Sequence, residues 1–494
     1  MGVLKKLAGQ TVLYGLSSVV PRFLNYLLFP IYTRFFNPST YGVHTELYAY
    51  LAFLLILLTF GLETGYFRFA TNGDEDKGKV YSNSFYFLIS TGLLFVALLF
   101  GFTDSIVASL GSEYHPFYIY FLVLVIFFDS ASALPFAKLR LLNRPIVFSF
   151  FKIGSVAINL LFNVIFLYIV PKYFPQWQYF LFPEKYYVGY VFLANLIGCA
   201  LTFVGLLIFM GIPKFDFDAK LIKRLLAYSL PLLIAGLGGT TNESFDRIFL
   251  KYLLPDNVDA LYELGIYGSN VKLAVLMVLF IQMYRFAAEP FFFSYSKKDD
   301  SKQMYAKLLK YFIIFCLIIF LGVSLNLHLF QFLVGQEFRV GLSIVPILLM
   351  ANLLYGVYFN ISVWYKLTNK THYGIIYTFT GAIVTIAINF ALIPLIGAYG
   401  AALARLVCYF VMTIACLYGA YKFYSIPYDV RAILQYFLVA LAIFLSIFFI
   451  PTSSFFLQTL LGLAGIILFL IFVIYKENLF NSLLSFAHGS QNNK

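Results

Sequence analysis

Six basic side chains, Arg22, Lys152, Arg247, Lys272, Arg285 and Arg405, lie inside long apolar stretches of a 494-residue chain. Placing such a cation at mid-bilayer depth costs at least about 2.5–3.5 kcal/mol, so each should face a bundle interior or a water-filled cavity and have a use there. The acids at comparable depth are Glu63, Asp129, Glu243, Asp246 and Glu289. Glu243 with Arg247 and Arg285 with Glu289 are spaced i,i+4 and share a helix face, which predicts local pairing. Arg22, Lys152, Lys272 and Arg405 have no such neighbour and need either a partner on another helix or an anionic ligand. A phosphate or diphosphate offers several acceptor oxygens to an arginine fork, and in a partly dehydrated cavity those charge-assisted bonds are strong. Arg22 heads the candidate set, with Arg247, Lys272 and Arg285 beside it and Lys152, Arg405 and Arg68 as secondary candidates. The competing reading of Arg22 is a packing arginine that bonds carbonyls freed by Pro21. Asn25 lies one turn beyond Arg22, and Asn159 is deep in a later run; each could bond a sugar or another helix. Glu63, Asp129 and Asp246 are the candidates for a coupling proton or sodium ion.

The elements that must position these residues are transmembrane helices. Hydrophobic residues make up 62% of the chain and charged residues 11%, with a mean hydropathy of +0.87. A soluble protein carries about 25% charge, so this is an all-α polytopic membrane protein. A 20-residue window predicts fourteen spans at about 8–32, 45–67, 81–101, 117–137, 147–169, 188–210, 226–249, 265–290, 309–330, 342–365, 373–393, 399–420, 433–450 and 456–475. The amino terminus, MGVLKKLAGQ, lacks a small-x-small cleavage site and its apolar run outlasts a signal-peptide core, which predicts an uncleaved first span. One set of loops carries most of the basic residues, among them Lys5, Lys6, Lys77, Lys79, Lys138, Arg140, Lys297, Lys298, Lys422 and Lys494. The alternate set holds only Arg34, Lys172, Lys185, Lys251 and Arg339. This asymmetry puts both termini in the cytoplasm. The net charge of +12 is therefore a topology signal and implies no nucleic acid.

The chain repeats itself. LLNRP leads into AINLLFNVIFLYIVP in the first half, and KLTNKT leads into AINFALIPLIG in the second; VGYVFLANLIG at Val188 then matches AYGAALARLVCY at Ala398, setting Asn195 opposite Arg405. Spans 5 and 6 are thus in register with 11 and 12. An even offset relates the halves by an axis along the membrane normal, with substrate sites expected between them near the midplane. The boundaries drawn from this are 1–212 for an N-terminal lobe, 213–425 for a C-terminal lobe and 426–494 for two extra helices and a tail. Pro21, Pro30, Pro231 and Pro346, with the Gly236, Gly238, Gly239 cluster, are expected to break helices at matching places in the halves. Enzyme readings find no HExxH, GxSxG, CxxC pair or P-loop, and Cys199, Cys316, Cys408 and Cys416 have no paired spacing, so no disulfide or metal site is implied.

The run from Pro21 to Tyr50, PRFLNYLLFPIYTRFFNPSTYGVHTELYAY, followed by GLETGYFRFA with Arg68, resembles the opening hairpin of the O-antigen and capsule polysaccharide exporters. These belong to the multidrug/oligosaccharidyl-lipid/polysaccharide (MOP) superfamily. The stretches Tyr267 to Phe293 and Thr368 to Ala404 resemble its later segments. The resemblance implies two six-helix lobes plus two trailing helices around a central cavity that alternates between membrane faces. It implies a flippase carrying undecaprenyl-diphosphate-linked oligosaccharide from the cytoplasmic to the periplasmic leaflet of the bacterial inner membrane. No cofactor beyond a coupling proton or sodium ion is expected. The implied partners are membrane lipids and glycan polymerase or assembly proteins, with the chain itself a monomer. The family's cationic lumen agrees with Arg22, Arg247, Lys272 and Arg285. Lipid II flippases share the architecture and an arginine in span 1; cation-coupled multidrug antiporters characteristically place carboxylates in the N-terminal lobe, where span 1 has none. Both stay open as alternatives.

Overall fold

A computed structural model describes residues 2–72, 75–296, 298–451 and 454–478, with side chains from residue 19 onward except that of Asn72. The side chains of Lys5 and Lys6, and Lys297 and Lys494 entirely, lie outside the described residues. The chain forms α1 (Gly2–Phe35), α2 (Pro38–Thr71), α3 (Lys77–Gly101), α4 (Pro116–Leu141), α5 (Pro145–Tyr173), α6 (Gly189–Met210) and α7 (Ala219–Leu253). It continues through α8 (Ala260–Tyr295), α9 (Ser301–Ser324), α10 (Gln336–Leu367), α11 (His372–Ile396), α12 (Ala398–Phe423), α13 (Val430–Phe448) and α14 (Phe455–Lys476). Among the described residues, α2 to α14 are thirteen spans long and apolar enough to cross a membrane; α1, at 34 residues, makes the fourteenth long helix. In hydrocarbon every backbone polar group must find its partner within the segment, which is why apolar runs of this length become helices. The end of the bundle at which α14 finishes, with Lys476, is the near end, and the opposite one is the far end.

Polar residues start these helices. Asn37 accepts from the Thr40 amide at 2.8 Å, with Pro38 in the first turn of α2; Asp259 caps α8 through the Tyr262 amide at 3.0 Å. The expected proline breaks are corrected: Pro21, Pro30 and Pro231 sit inside continuous helices, and Pro346 opens an α-helix after a 3-10 segment. The real interruptions are elsewhere. In α2, Phe60 (φ 51°) and Gly61 (φ 64°) adopt left-handed backbone and redirect the chain from Pro38–Thr59 into Leu62–Asn72. In α5, a π-helical turn spans Ile165–Ile169 ahead of Pro171. Its ladder would call on an N–H at 171 to reach the Phe166 carbonyl, proline has none, and the Tyr187 hydroxyl donates to that carbonyl at 2.6 Å instead.

Packing follows the repeat. α1 lies on α5, α4 on α6, α5 on α6 and α3 on α4; six helices later α7 lies on α11, α10 on α12, α11 on α12 and α9 on α10. Two six-helix lobes result, and α13 and α14 pack on α9 and on each other outside the repeat. The lobes meet through the helices that head each half, with α2 against α7 and α8, and α1 against α8. The α2/α8 crossing is close because it is lined with glycine: a Cβ at Gly42 would overlap the Leu261 carbonyl, one at Gly265 the Pro38 carbonyl, and one at Gly268 the Thr45 side chain. Gly265→Val is expected to destabilise the chain by about 1–3 kcal/mol, seen as a lower thermal unfolding midpoint in detergent. An unchanged midpoint would mean that the crossing is looser than described.

α7 straddles the lobes. Its far half packs on α11 and α12, whereas its near end is tied to the N-lobe by Lys79–Asp218 at 2.9 Å and by an Arg224–Glu75 ion pair. The Lys79 ammonium and the Leu221 amide hold the Asp218 carboxyl below the usual carboxylate range. Between α5 and α6, Tyr173, Phe174, Trp177 and Phe180 form an exposed aromatic girdle at the far end, suited to a membrane interface. All four cysteines are free and buried.

Candidate functional site

A cavity of about 330 Å³ lies between the lobes. Its C-lobe side carries Arg247 from α7 with Gly268 and Lys272 from α8. The N-lobe side carries Asn25 of α1, His44 and Tyr48 of α2, Asn159 of α5 and Asn195 of α6, with Asp129 of α4 at its foot. At 1.5 Å per residue, Lys272 is roughly 18 Å below the far end of α8 and Asp129 roughly 20 Å into α4, near the middle of a hydrocarbon core about 30 Å thick. Lys272 is nonetheless exposed, and its open surface is cavity wall. Among the described residues, neither the Arg247 guanidinium nor the Lys272 ammonium has a carboxylate oxygen within 4.0 Å. The two cations act on each other electrostatically, with Glu243 the acid that reaches Lys272. An anionic group entering here would meet two positive charges in a poorly hydrated space.

Asn25, Asn159, Asp129, Arg247 and Lys272 thus come together. The other candidates do not join them. Arg22 is exposed on α1 outside the enclosed cavity, within electrostatic reach of Glu243, Tyr355 and Arg285 on the opposite lobe. Arg285 lies over the Phe359 ring at 4.7 Å; its expected i,i+4 bridge to Glu289 is stretched to 3.9 Å, because Lys366 takes that carboxylate at 2.8 Å. The expected Glu243–Arg247 bridge is absent among the described residues, since Arg247 turns into the cavity. Arg405 is corrected from ligand-binding candidate to internal ion pair. It is 5% exposed, and its Nη2 donates to Asp246 Oδ2 and to the Glu243 carbonyl, each at 2.6 Å. Asp246 also accepts from the Tyr267 hydroxyl and the Arg247 amide, so its carboxylate is fully engaged and unsuited to an exchanging ion. Arg68 lies over the Tyr228 ring at 4.2 Å, bracing α2 against α7.

Lys152 belongs to a second chamber of about 300 Å³ inside the N-lobe, with Glu63, Asp129 and Arg140. There Glu63 pairs with Arg140 and the Lys152 ammonium sits 4.1 Å from the Phe136 ring centre. Asp129 borders both spaces.

Toward the far end, sequence reasoning overlooked Glu46 and Lys251. Glu46 is fully buried on α2, and Lys251 on α7 reaches it across the lobe boundary at 2.9 Å, while the Tyr114 and Tyr50 hydroxyls donate to the same carboxylate. Glu46 falls just inside the predicted span 45–67, a signal that could have found it; Lys251 had been assigned to a loop. Breaking a buried pair strands its partner. Lys251→Met is therefore expected to loosen the far closure. Maleimide added from that side should label a Thr45→Cys variant several-fold faster in the Lys251→Met background, and an unchanged rate would show that the pair does not hold the lobes shut.

The fold is shared with solved membrane proteins. A lipid II flippase, MurJ, in an inward closed conformation aligns with a TM-score of 0.73 at 15% identity, over 94% of this chain and 99% of that one. An inward-facing multidrug resistance MATE transporter of the MOP superfamily aligns at 0.61 with 13% identity, over 84% and 95%. A MOP superfamily transporter from Pyrococcus furiosus, described by the reverse polarity of its binding pocket, aligns at 0.54 with 12% identity, over 84% and 95%. No curated protein matches the chain. A family model described as "Polysaccharide biosynthesis protein" matches residues 7–296, more than half of the 494, and with the fold of the MOP superfamily around its cationic cavity the chain belongs to that polysaccharide biosynthesis family.

Proposed function

We propose that this chain is a flippase that moves polyprenyl-diphosphate-linked oligosaccharide from the cytoplasmic to the periplasmic leaflet of a bacterial inner membrane, for O-antigen, capsule or exopolysaccharide assembly. The observation that carries this reading is the Arg247–Lys272 pair, exposed to a mid-depth cavity with no carboxylate in ion-pair range. A diphosphate supplies the missing counter-charge and several acceptors for the guanidinium fork. Arg22 and Arg285, exposed outside the cavity lining, would draw the headgroup toward it. The excess of Lys and Arg in near-end loops supports a cytoplasmic near end. Alternating access would come from the lobes rocking about the α2/α8 crossing, with the Glu46–Lys251 pair opening at the far end. A coupling proton or sodium ion would go to Asp129, which borders both chambers, or to Glu63 on leaving Arg140. The prenyl chain stays in lipid, and a polymerase would receive the glycan outside.

The second reading, a lipid II flippase, is favoured by the similarity to MurJ over nearly the whole chain. Drug antiport finds less support, because the cavity presents one acid, Asp129, against two cations. The test is reconstitution of the full chain in vesicles with a fluorescent prenyl-diphosphate-linked glycan in both leaflets and an impermeant quencher outside. Protein-dependent loss of the protected half is expected. A rate equal to that of protein-free vesicles would reject the flippase reading.

A further inference from the structure

The two walls of the central cavity differ in chemistry. Cations occupy the C-lobe wall; the N-lobe wall above Asp129 is uncharged and offers the amides of Asn25, Asn159 and Asn195, the Tyr48 phenol and the His44 imidazole. Much of its hydrogen-bonding capacity is unspent. Asn163 Nδ2 donates to Asn159 Oδ1 at 2.8 Å, which leaves the Asn159 amide N–H groups without an acceptor among the described residues. Asn195 Nδ2 donates to Tyr48 Oη at 3.0 Å, and the Tyr48 proton remains free to donate. The Asn25 side chain makes no hydrogen bond among the described residues. His44 is 8% exposed and its Nδ1 has no partner, although the ring is held by Tyr41 and Tyr48 at centroid distances of 5.2 and 4.5 Å. A wall that keeps amide and hydroxyl groups open suits a ligand dense in hydroxyl groups.

The geometry points to a divided site, in which the C-lobe cations take the diphosphate and the N-lobe wall of Asn25, His44, Tyr48, Asn159 and Asn195 selects the uncharged sugar joined directly to it. This rests on the flippase reading. Amides suit vicinal hydroxyls because each offers a donor and an acceptor side by side. The volume of about 330 Å³ is at the lower end for small-molecule sites, room for the diphosphate and the adjoining ring but not for the remaining glycan. Size sets the selection. A muramoyl pentapeptide brings bulk to that wall that a cavity of about 330 Å³ does not hold beside the diphosphate. A plain hexose or N-acetylhexosamine does not.

The test measures binding of three probes to the full chain in detergent by calorimetry: farnesyl diphosphate, the same diphosphate carrying N-acetylglucosamine, and the same diphosphate carrying N-acetylmuramoyl-pentapeptide. The neutral sugar should tighten binding roughly tenfold over bare diphosphate, the scale of one or two hydrogen bonds, and the muramoyl peptide should not. Asn25→Leu and Asn159→Leu should each shrink that increment while bare diphosphate binds as before, which also shows that the variants fold. Asn25 has no side-chain hydrogen bond among the described residues to lose, so its variant keeps the test open if Asn159→Leu disturbs Asn163. Lys272→Met should weaken the bare and N-acetylglucosamine probes by the same factor. If bare diphosphate binds but the sugar adds nothing, if both amide variants leave the increment whole or weaken bare diphosphate equally, or if the muramoyl probe binds as tightly as N-acetylglucosamine, the divided site is overturned and the flippase reading stands. If no probe binds, both fall together.

Discussion

Replacing Arg247 with Gln and Lys272 with Met together is expected to abolish translocation of a prenyl-diphosphate-linked glycan while leaving the chain folded. Each side chain offers charge-assisted hydrogen bonds to the headgroup, worth about 1.5–3 kcal/mol apiece, so losing both should slow transport by roughly 10²- to 10⁴-fold. Folding should survive because neither cation has an ion-pair partner among the described residues that its removal would strand. The vesicle assay at equal reconstituted protein measures this directly. Arg22→Ala serves as the contrast. Arg22 lies outside the cavity lining, and its loss should cost about tenfold or less. Transport by the double variant within a few-fold of the parent, or a larger loss from Arg22→Ala than from the pair, would move the headgroup site out of the cavity.

Arg405→Leu is expected to be among the most destabilising single changes in the protein, by about 3–5 kcal/mol, because it leaves the Asp246 carboxylate buried without its counter-charge. Asp246 is 2% exposed, and the Arg405 bond at 2.6 Å is its only ion pair among the described residues. Arg405→Leu combined with Asp246→Leu should recover most of that loss, since two apolar side chains fill the space with no charge to desolvate. Thermal unfolding in detergent distinguishes single from double. The double variant should still transport, as neither residue lines the cavity. A neutral Arg405→Leu, or a double variant no better than the single, would mean that the pair is not the structural unit described. A stable double variant that no longer transports would return Arg405 or Asp246 to the working site.

These two experiments separate residues that look alike along the chain. Lys272 and Arg405 are both cations inside apolar runs with no acid four residues away, and the same argument applied to each. One opens on a cavity and the other is closed on Asp246, a helix away. Of the two local pairings read from i,i+4 spacing, Arg285–Glu289 forms at 3.9 Å with Lys366 from α10 closer on the same carboxylate, and Arg247 leaves Glu243. Proline positions misled in the same way, because a helix packed on neighbours tolerates proline where its freed carbonyl finds another donor. Phe60–Gly61 and the π turn in α5 interrupt the helices instead.

What the sequence determined by itself was the all-helical class and the six-helix offset between the halves. Those properties are local: a run of about 20 apolar residues must be helical in lipid, and the order of the runs is the order of the chain. Which way a deep charge turns around its helix axis, and what it meets there, was decided only by tertiary packing. The glycine-lined approach of α2 to α8, and the alignment of α1, α2, α5 and α6 opposite α7 and α8, put Arg247 and Lys272 across from a neutral polar wall. The physical reason is that counter-charge and cavity depend on side chains hundreds of residues apart, such as Asn25 and Lys272, which only the folded lobes bring face to face.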